Sequence, residues 1–335
     1  MKAFICVPNN EVGRTYFTDE NIALANSLGH MVWNESDHHM TTEEIAEKIG
    51  DCDTYVTIWG SPRLDEKILA KAPNIKLLTH LCGTVVPFVS DAMWERGIKV
   101  ITGNWHFADS VAEGTIGYIL SAQRDIPGFS SRFKNEHQWK PTVPNNAGLF
   151  GKTVGLVSYG AIAKALVKLL KPFRVKLLVY DIVPIPEEDK KEYNITQVSL
   201  ETVFTESDII SVHTPLNPHT HHLIGKELFS LIKPGALFLN TARGGVLNQA
   251  ELEDELEKGR FRAFLDVYEQ EPPPPDCRLF NLPNVTMMPH MGGPTIDLRQ
   301  YIARDLLLES AAFIDRGEPL QHEVSREMAA QMSNS

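Results

Sequence analysis

The stretch Lys152–Asp181, KTVGLVSYGAIAKALVKLLKPFRVKLLVYD, limits the fold more than any other part of the chain. The run Thr153–Val157 leads into Ser158-Tyr159-Gly160. Ala161–Lys171 then sets Ile162, Leu166, Leu169 and Leu170 on one side of a helix, and Val175–Tyr180 is a second apolar run ending at Asp181. Strand, tight turn, helix and strand make a βαβ unit, because two parallel strands need a crossover and a helix is the usual one. The turn also suits a dinucleotide. A helix N-terminus offers unpaired N–H groups and a partial positive charge to a pyrophosphate, here from Ala161 and Ile162. At the three positions of the GxGxxG fingerprint stand Ser158, Gly160 and Ala163. Gly160 lets phosphate approach the backbone and Ala163 still permits close helix packing, whereas Ser158 gives up the freedom of a glycine. Asp181 follows Gly160 by 21 residues, near the ~20 expected of an acid that binds ribose hydroxyls. A plain βαβ crossover is the alternative. If the acid does bind ribose, a 2′-phosphate beside it would be repelled by ~4 kcal/mol. The following Ile182, Val183 and Pro184 bring no cation, so the expected cofactor is NAD, not NADP.

The rest of the chain alternates in the same way. Before residue 103, apolar runs at Phe4–Val7, Met31–Trp33, Thr54–Trp59, Ile75–Leu78 and Lys99–Thr102 are separated by helical stretches at Asp19–Leu28, Leu64–Ala72 and Val89–Arg96. Thr41 and Glu44 read as the capping box of another helix. Asp109–Arg124 is a long helix, followed by a polar segment with Trp139, Pro141 and Pro144. A second series runs from Gly151 to Pro289. Thr295–Asp315 closes the chain as a helix with Ile296, Leu298, Ile302, Leu306 and Leu307 on one face, and the polar last dozen residues should fray. At 335 residues the chain holds about two domains. Its 32 basic and 43 acidic residues leave a net charge of −11, which argues against a nucleic-acid partner. The four cysteines Cys6, Cys52, Cys82 and Cys277 are scattered without a CxxC pair, and no apolar run is long enough for a membrane span. MKAFICVPNN lacks a signal-peptide pattern, so a cytoplasmic protein is expected.

Three segments carry chemistry. FLNTARGG puts Arg243 just past a strand, AFLDVYEQEP puts Asp266 and Glu271 past the next, and Val285–Pro289 is followed by His290. Ligands bind at the carboxyl ends of parallel strands. A guanidinium suits the carboxylate of a 2-keto acid. An imidazole titrating near neutrality can protonate the ketone oxygen as hydride arrives, and a carboxylate on its other nitrogen fixes the tautomer. Arg243, His290 and Glu271 fill these roles. Taken singly, each also has an ordinary reading, as a surface cation, a packed ring and a solvated loop acid.

The segments NTARGGVLNQAEL, LDVYEQEP and PHMGGPT resemble the three catalytic signatures of the D-isomer-specific 2-hydroxyacid dehydrogenases. VAEGTIGYILSAQRDIPGF and SVHTPLNPHTHHLIG extend the likeness over nearly the whole chain. The resemblance implies an α/β fold of two Rossmann-like domains with parallel sheets and the active site in the interdomain cleft. It assigns 1–103 plus 295–335 to a substrate-binding (catalytic) domain and 104–294 to an NAD-binding domain, with Gly103 and Gly292-Gly293 as hinges. It implies a homodimer through the cofactor domain. It implies hydride transfer between NAD(H) and a small D-2-hydroxy acid or 2-keto acid, with no metal. A non-catalytic NAD(H) sensor or scaffold on the same fold is the alternative.

The resemblance also puts His213, Thr214 and Pro215 near the nicotinamide or ribose. Thr241, Ala242 and Asp266 would line the nicotinamide, or merely bond at strand ends, and Gly293 is counted with the cofactor residues. Cys82, Gly83 and Thr84 occupy the family's carboxylate-binding turn, with Val85 where an acid is common. Trp59, with Gly60, Phe88, Trp105, His106 and Met291, would shape the substrate pocket, core packing being the alternative for Trp59 and Phe88. Gly114 stands where the family usually has His. No basic cluster beyond Arg63 lies in loops 59–64 and 80–87, which speaks against a phosphorylated substrate. His219, His221 and His222 lack acidic partners at ligand spacing and read as a surface loop.

Overall fold

The computed structural model describes residues 1–143 and 146–333; Pro144 of the polar segment lies outside the described residues. The chain divides into two compact units, one formed by Met1–Phe107 and Pro294–Ser335, the other by Ala108–Gly293.

The first unit is a five-stranded sheet of β1 (Lys2–Ile5), β2 (His30–Trp33), β3 (Thr54–Thr57), β4 (Leu77–His80) and β5 (Lys99–Thr102). Their order is β2-β1-β3-β4-β5, and every pairing is parallel. Both faces are buried, as a parallel sheet requires. Phe4, Tyr55, Leu78 and Val100 pack into one core with Ile45, Ile68 and Met93. Their strand neighbours Ala3, Ile5, Val56, Leu77 and Ile101 pack into the other with Ile302, Leu306 and Leu307 of the helix Ile296–Arg316. That alternation is the period of two of a strand. Thr41 and Glu44 form the expected capping box.

The second unit is a seven-stranded sheet of β6 (Thr153–Val157), β7 (Lys176–Tyr180), β8 (Ile195–Gln197), β9 (Ile209–Val212), β10 (Leu237–Asn240), β11 (Arg262–Leu265) and β12 (Val285–Met287). The order is β12-β11-β10-β9-β6-β7-β8, again parallel throughout. The chain steps from β8 back across the sheet to β9, so β6 and β9 flank a switch point, where open α/β sheets bind ligands. Val154, Leu156, Leu177 and Phe264 face one core, and Val157, Ile210, Phe238 and Leu265 the other.

Four details differ from the expectations. The long helix runs Asn104–Arg124, so Trp105-His106-Phe107 are helical from the start. A further helix, Ile126–Glu136, lies in the stretch read as polar; it buries none of its residues, and its apolar stripe of Ile126, Phe129 and Phe133 is left uncovered. Ile296 is exposed, outside the buried face of its helix. As far as residue 333 the tail is ordered: Val324 N–H donates to Val100 O, Arg326–Ala329 is a short helix capped by Ser325, and Ala329 is buried; 334 and 335 lie outside the described residues. Among the described residues no helix is long and apolar enough to cross a membrane.

Candidate functional site

The turn after β6 is built under strain. Ser158 has φ +80°, the left-handed region a glycine would occupy without cost. It is held there by its N–H to Tyr180 O and by its hydroxyl 2.8 Å from Thr214 Oγ1. Gly160 opens the helix Ala161–Leu170 with no side-chain cap, and a Cβ placed on it would meet nothing within 4 Å. The first N–H groups of that helix, at Ala161 and Ile162, are thus uncapped by any side chain. Ala163 is fully buried, its methyl part of the core. Asp181 sits at the end of β7, accepting from Tyr159 N–H at 2.6 Å and Val183 N–H at 2.8 Å. It braces the turn, and each oxygen keeps a second lone pair for a hydroxyl.

His213 follows β9 directly. It is buried, and neither ring nitrogen has a hydrogen-bond partner among the described residues. Burial pushes its pKa down to about 4, so it is neutral. Thr214 beside it is buried, and Pro215 is half-buried. An uncapped helix end, open space at Gly160, an acid past β7 and orphaned imidazole nitrogens fit a bound dinucleotide.

The expected trio of Arg243, Glu271 and His290 follows three adjacent strands, β10, β11 and β12. Asn240 turns the chain by accepting from Ala242 N–H and donating to Arg243 O. Thr241 and Ala242 are buried, Thr241 Oγ1 lying 3.2 Å from Thr115 Oγ1. Arg243 is half-buried, and its Nη1 donates to Ala242 O at 2.7 Å. Burial lowers its pKa while the Glu271 carboxylate opposes that shift; a guanidinium stays charged regardless. Gly244 is obligatory, since a Cβ there would lie 1.8 Å from the Tyr268 carbonyl carbon. Glu271 accepts from Tyr268 N–H through Oε1, and its Oε2 lies 2.7 Å from His290 Nδ1.

His290 has φ +56°, and its N–H donates to Asp266 O. The Asp266 side chain is buried and accepts from Met291 N–H and Gly292 N–H, each at 2.7 Å. Its first observed duty is therefore to hold the His290 loop. Gly293, at φ +155°, packs beside Ser110. Gly114 lies against this loop: a Cβ there would come within 2.8 Å of Gly292 O, which leaves no room for a histidine.

In the first unit Trp59 is 40% exposed just past β3. Cys82 follows β4. Its side chain is fully buried 3.5 Å from the Tyr16 hydroxyl, and burial pushes the thiol up to about 12, so only its backbone can serve a ligand. Thr84 donates to Ser333 O. Gly83 is half-buried beside them. Phe88 is buried and stacked on His80 at 4.1 Å, a core contact. His222 does have an acidic partner: its Nε2 lies 2.6 Å from Glu269 Oε1, and one ligand atom each of His221, His222 and Glu269 lie within 4.8 Å of one another. The sequence reading missed Glu269 because it belongs to a different loop. It also missed Arg299, which stands over Trp59.

Comparison with known proteins adds to this geometry. A family model described as "D-isomer specific 2-hydroxyacid dehydrogenase, NAD binding domain" matches residues 116–292. Glyoxylate reductase of Thermofilum pendens is 34% identical over 293 residues, covering 86% of this chain and 86% of that protein. D-3-phosphoglycerate dehydrogenase of Methanocaldococcus jannaschii is 33% identical over 288 residues, covering 85% of this chain but only 54% of that protein. The chain thus spans about half the length of that relative. A phosphoglycerate oxidoreductase from Rhizobium etli superposes with a TM-score of 0.80 at 26% identity, covering 97% of this chain and 99% of the other.

Proposed function

Because this chain belongs to the D-isomer specific 2-hydroxyacid dehydrogenases, NAD-dependent oxidoreductases, we propose that it reduces a small 2-keto acid to the D-2-hydroxy acid with Arg243, Glu271 and His290. The observation that carries the assignment is the 2.7 Å contact between Glu271 Oε2 and His290 Nδ1. Glu271 accepts from Nδ1–H, which leaves Nε2 as the atom that gives a proton to the ketone oxygen and takes it back in the oxidative direction. Glu271 is itself held by Tyr268 N–H, so the imidazole plane is set before substrate arrives. The Arg243 guanidinium binds the substrate carboxylate as a two-pronged donor. Asp266 keeps the His290 loop closed through two backbone N–H groups. NADH supplies the hydride when bound. Ser158, Gly160, Ala161, Ile162, Asp181, His213, Thr214, Pro215, Thr241, Ala242, Asp266 and Gly293 would hold it, with Asp181 favouring NAD over NADP.

Trp59 and the backbone of Cys82, Gly83 and Thr84 are assigned to substrate, which makes the first unit the substrate domain and the second the NAD domain. Support for a homodimer through the second unit comes from its exposed apolar residues Ile126, Phe133, Trp139, Val143 and Phe150. A cytoplasmic location accords with four free, buried cysteines. The test is oxidation of NADH and NADPH with glyoxylate, hydroxypyruvate, pyruvate and branched or aromatic 2-keto acids. Turnover of at least one, faster with NADH, is expected; NADH binding with no turnover of any would refute the reading.

A further inference from the structure

The returning helix Ile296–Arg316 brings a cation into the first unit that the reaction above does not use. The Arg299 guanidinium lies 5.5 Å from the Trp59 ring centre and 5.8 Å from that of Tyr16. Its Nη1 reaches Thr15 Oγ1 at a long 3.4 Å, and its Nε is shielded from solvent with no acceptor. Among the described residues no carboxylate pairs with it. A shielded donor on a charged group is costly to leave unmade, and contact with aromatic faces offsets only part of that cost. Arginine offers Nε–H and Nη2–H as a side-on fork matched to a carboxylate. Here that fork has no acceptor among the described residues.

The neighbours of Arg299 are the residues assigned to substrate. The Trp59 backbone N–H lies near the Cys82 sulfur, and the Tyr16 hydroxyl lies 3.5 Å from the same atom. Phe107 meets Trp59 edge-on at 5.7 Å and would lie 3.6 Å from a Cβ on Gly83. Arg299, Trp59 and the Cys82–Thr84 turn therefore form one patch at the carboxyl edge of β3 and β4. It carries backbone donors at one place, a guanidinium at another and an indole with them. A ligand with two carboxylates joined by a short apolar spacer has the complementary pattern. In a chain of net charge −11, such a dianion needs a local cation to be held at all.

We propose that Arg299 binds the distal carboxylate of a short 2-keto dicarboxylic acid and selects it over the corresponding monoacid. The proposal rests on the 2-keto acid reductase reading. In the reaction C2 gains the hydride, the ketone oxygen gains the proton, one NADH becomes NAD, and the distal carboxylate leaves unchanged.

The test compares kcat/KM for 2-oxoglutarate and fresh oxaloacetate with that for 2-oxopentanoate and 2-oxobutyrate, each diacid against the monoacid of equal chain length. A ratio does not depend on how much of a variant is folded. Wild type should favour the diacid at least 10-fold, Arg299→Met should lower that ratio at least 10-fold, and Arg299→Lys should fall between. A smaller change in Arg299→Met, or wild-type preference for the monoacids, overturns the assignment of Arg299 and leaves the reductase standing. Failure to reduce any keto acid while NADH binds overturns the reductase reading, and this proposal with it.

Discussion

The two sheets obey one design and carry different loads at their carboxyl edges. Both are wholly parallel, and each lines two cores with alternate residues of its strands. At the edge of the first sheet no described residue other than glycine is held in a left-handed conformation. Cys82 is buried against Tyr16, His80 is hydrogen-bonded to Thr57 and stacked on Phe88, and Gly83 has ordinary van der Waals space around it. At the edge of the second sheet Ser158 and His290 are held in left-handed backbone conformations, and the nitrogens of His213 are buried without partners. A fold of this kind positions groups without making them reactive. What distinguishes the second edge is backbone strain, kept there on residues other than glycine by specific clamps, Thr214 on Ser158 and Asp266 on the His290 loop. Such costs persist only where surrounding contacts enforce them.

The largest expected effect tests whether the second edge does the chemistry. His290→Gln keeps a hydrogen-bonding side chain but has no group that gives up a proton near neutral pH. General acid–base catalysis is worth about 10² to 10⁴-fold. kcat should fall about 10³-fold while NADH binding, followed by fluorescence titration, changes little. A variant that turns over at the wild-type rate would remove His290 from its role and erase the contrast between the edges.

The next test concerns space. A Cβ on Gly244 would overlap the Tyr268 backbone at 1.8 Å, whereas on Gly83 its nearest neighbour would be Phe107 at 3.6 Å. Gly244→Ala should cost about 3 kcal/mol of unfolding free energy, the upper range for overpacking. Gly83→Ala should cost less than about 1 kcal/mol in the same urea titration, by the same reasoning. Equal losses would mean that the two edges are equally tight.

One feature is shared, and pH exposes it. Each edge holds a neutral buried imidazole: burial pushes His80 down to about 3 and His213 down to about 4. Unfolded histidine titrates near 6.5, so below that pH the unfolded chain binds protons that the folded chain refuses. Stability from these two groups is complete above about pH 6.5 and declines as pH falls toward their folded values. At pH 5, roughly 1.5 units below the unfolded pKa, each should cost about 2 kcal/mol. His80→Asn, which keeps an acceptor near Thr57, should abolish about half of the pH dependence between 7 and 5, whatever its absolute stability. An unaltered dependence would place the titrating group elsewhere.

How much of this was legible in the sequence follows from contact range. The strand Thr153–Val157, the turn at Ser158 and the cap at Thr41 are local, and the structure has them where the residues put them. The order Arg243, Glu271, His290 was legible because each lies just past its own strand, and parallel neighbours bring such positions to one edge. Contacts between distant segments were not legible. Nothing local in VSREMAAQMS says that Val324 bonds Val100 or that Thr84 bonds Ser333. Arg299 was not legible beside the N-terminal loops, because the cation is carried in by a helix from the other end of the chain. The helix Ile126–Glu136 has a short apolar stripe, Ile126, Phe129 and Phe133, but opens on Pro127-Gly128, a pair that reads as a turn.

The smallest expected effect concerns the strained turn at Ser158. Its hydroxyl contact with Thr214 Oγ1 at 2.8 Å should stabilise the fold by about 1 kcal/mol, the usual net value of a hydrogen bond. A side chain at φ +80° costs about 1 kcal/mol or slightly more relative to glycine. Ser158→Ala loses the bond and keeps the strain, so it should be less stable than wild type by about 1 kcal/mol. Ser158→Gly loses the bond and the strain together and should lie near wild type, the two terms being about equal. The difference between alanine and glycine, read from urea midpoints at pH 7, isolates the backbone term, since neither side chain can bond Thr214. If alanine were as stable as glycine, the turn would relax out of the left-handed region once the hydroxyl is gone. The clamp from Thr214 would then be the cause of the conformation, where the structure otherwise has the turn imposing it on a residue poorly suited to hold it.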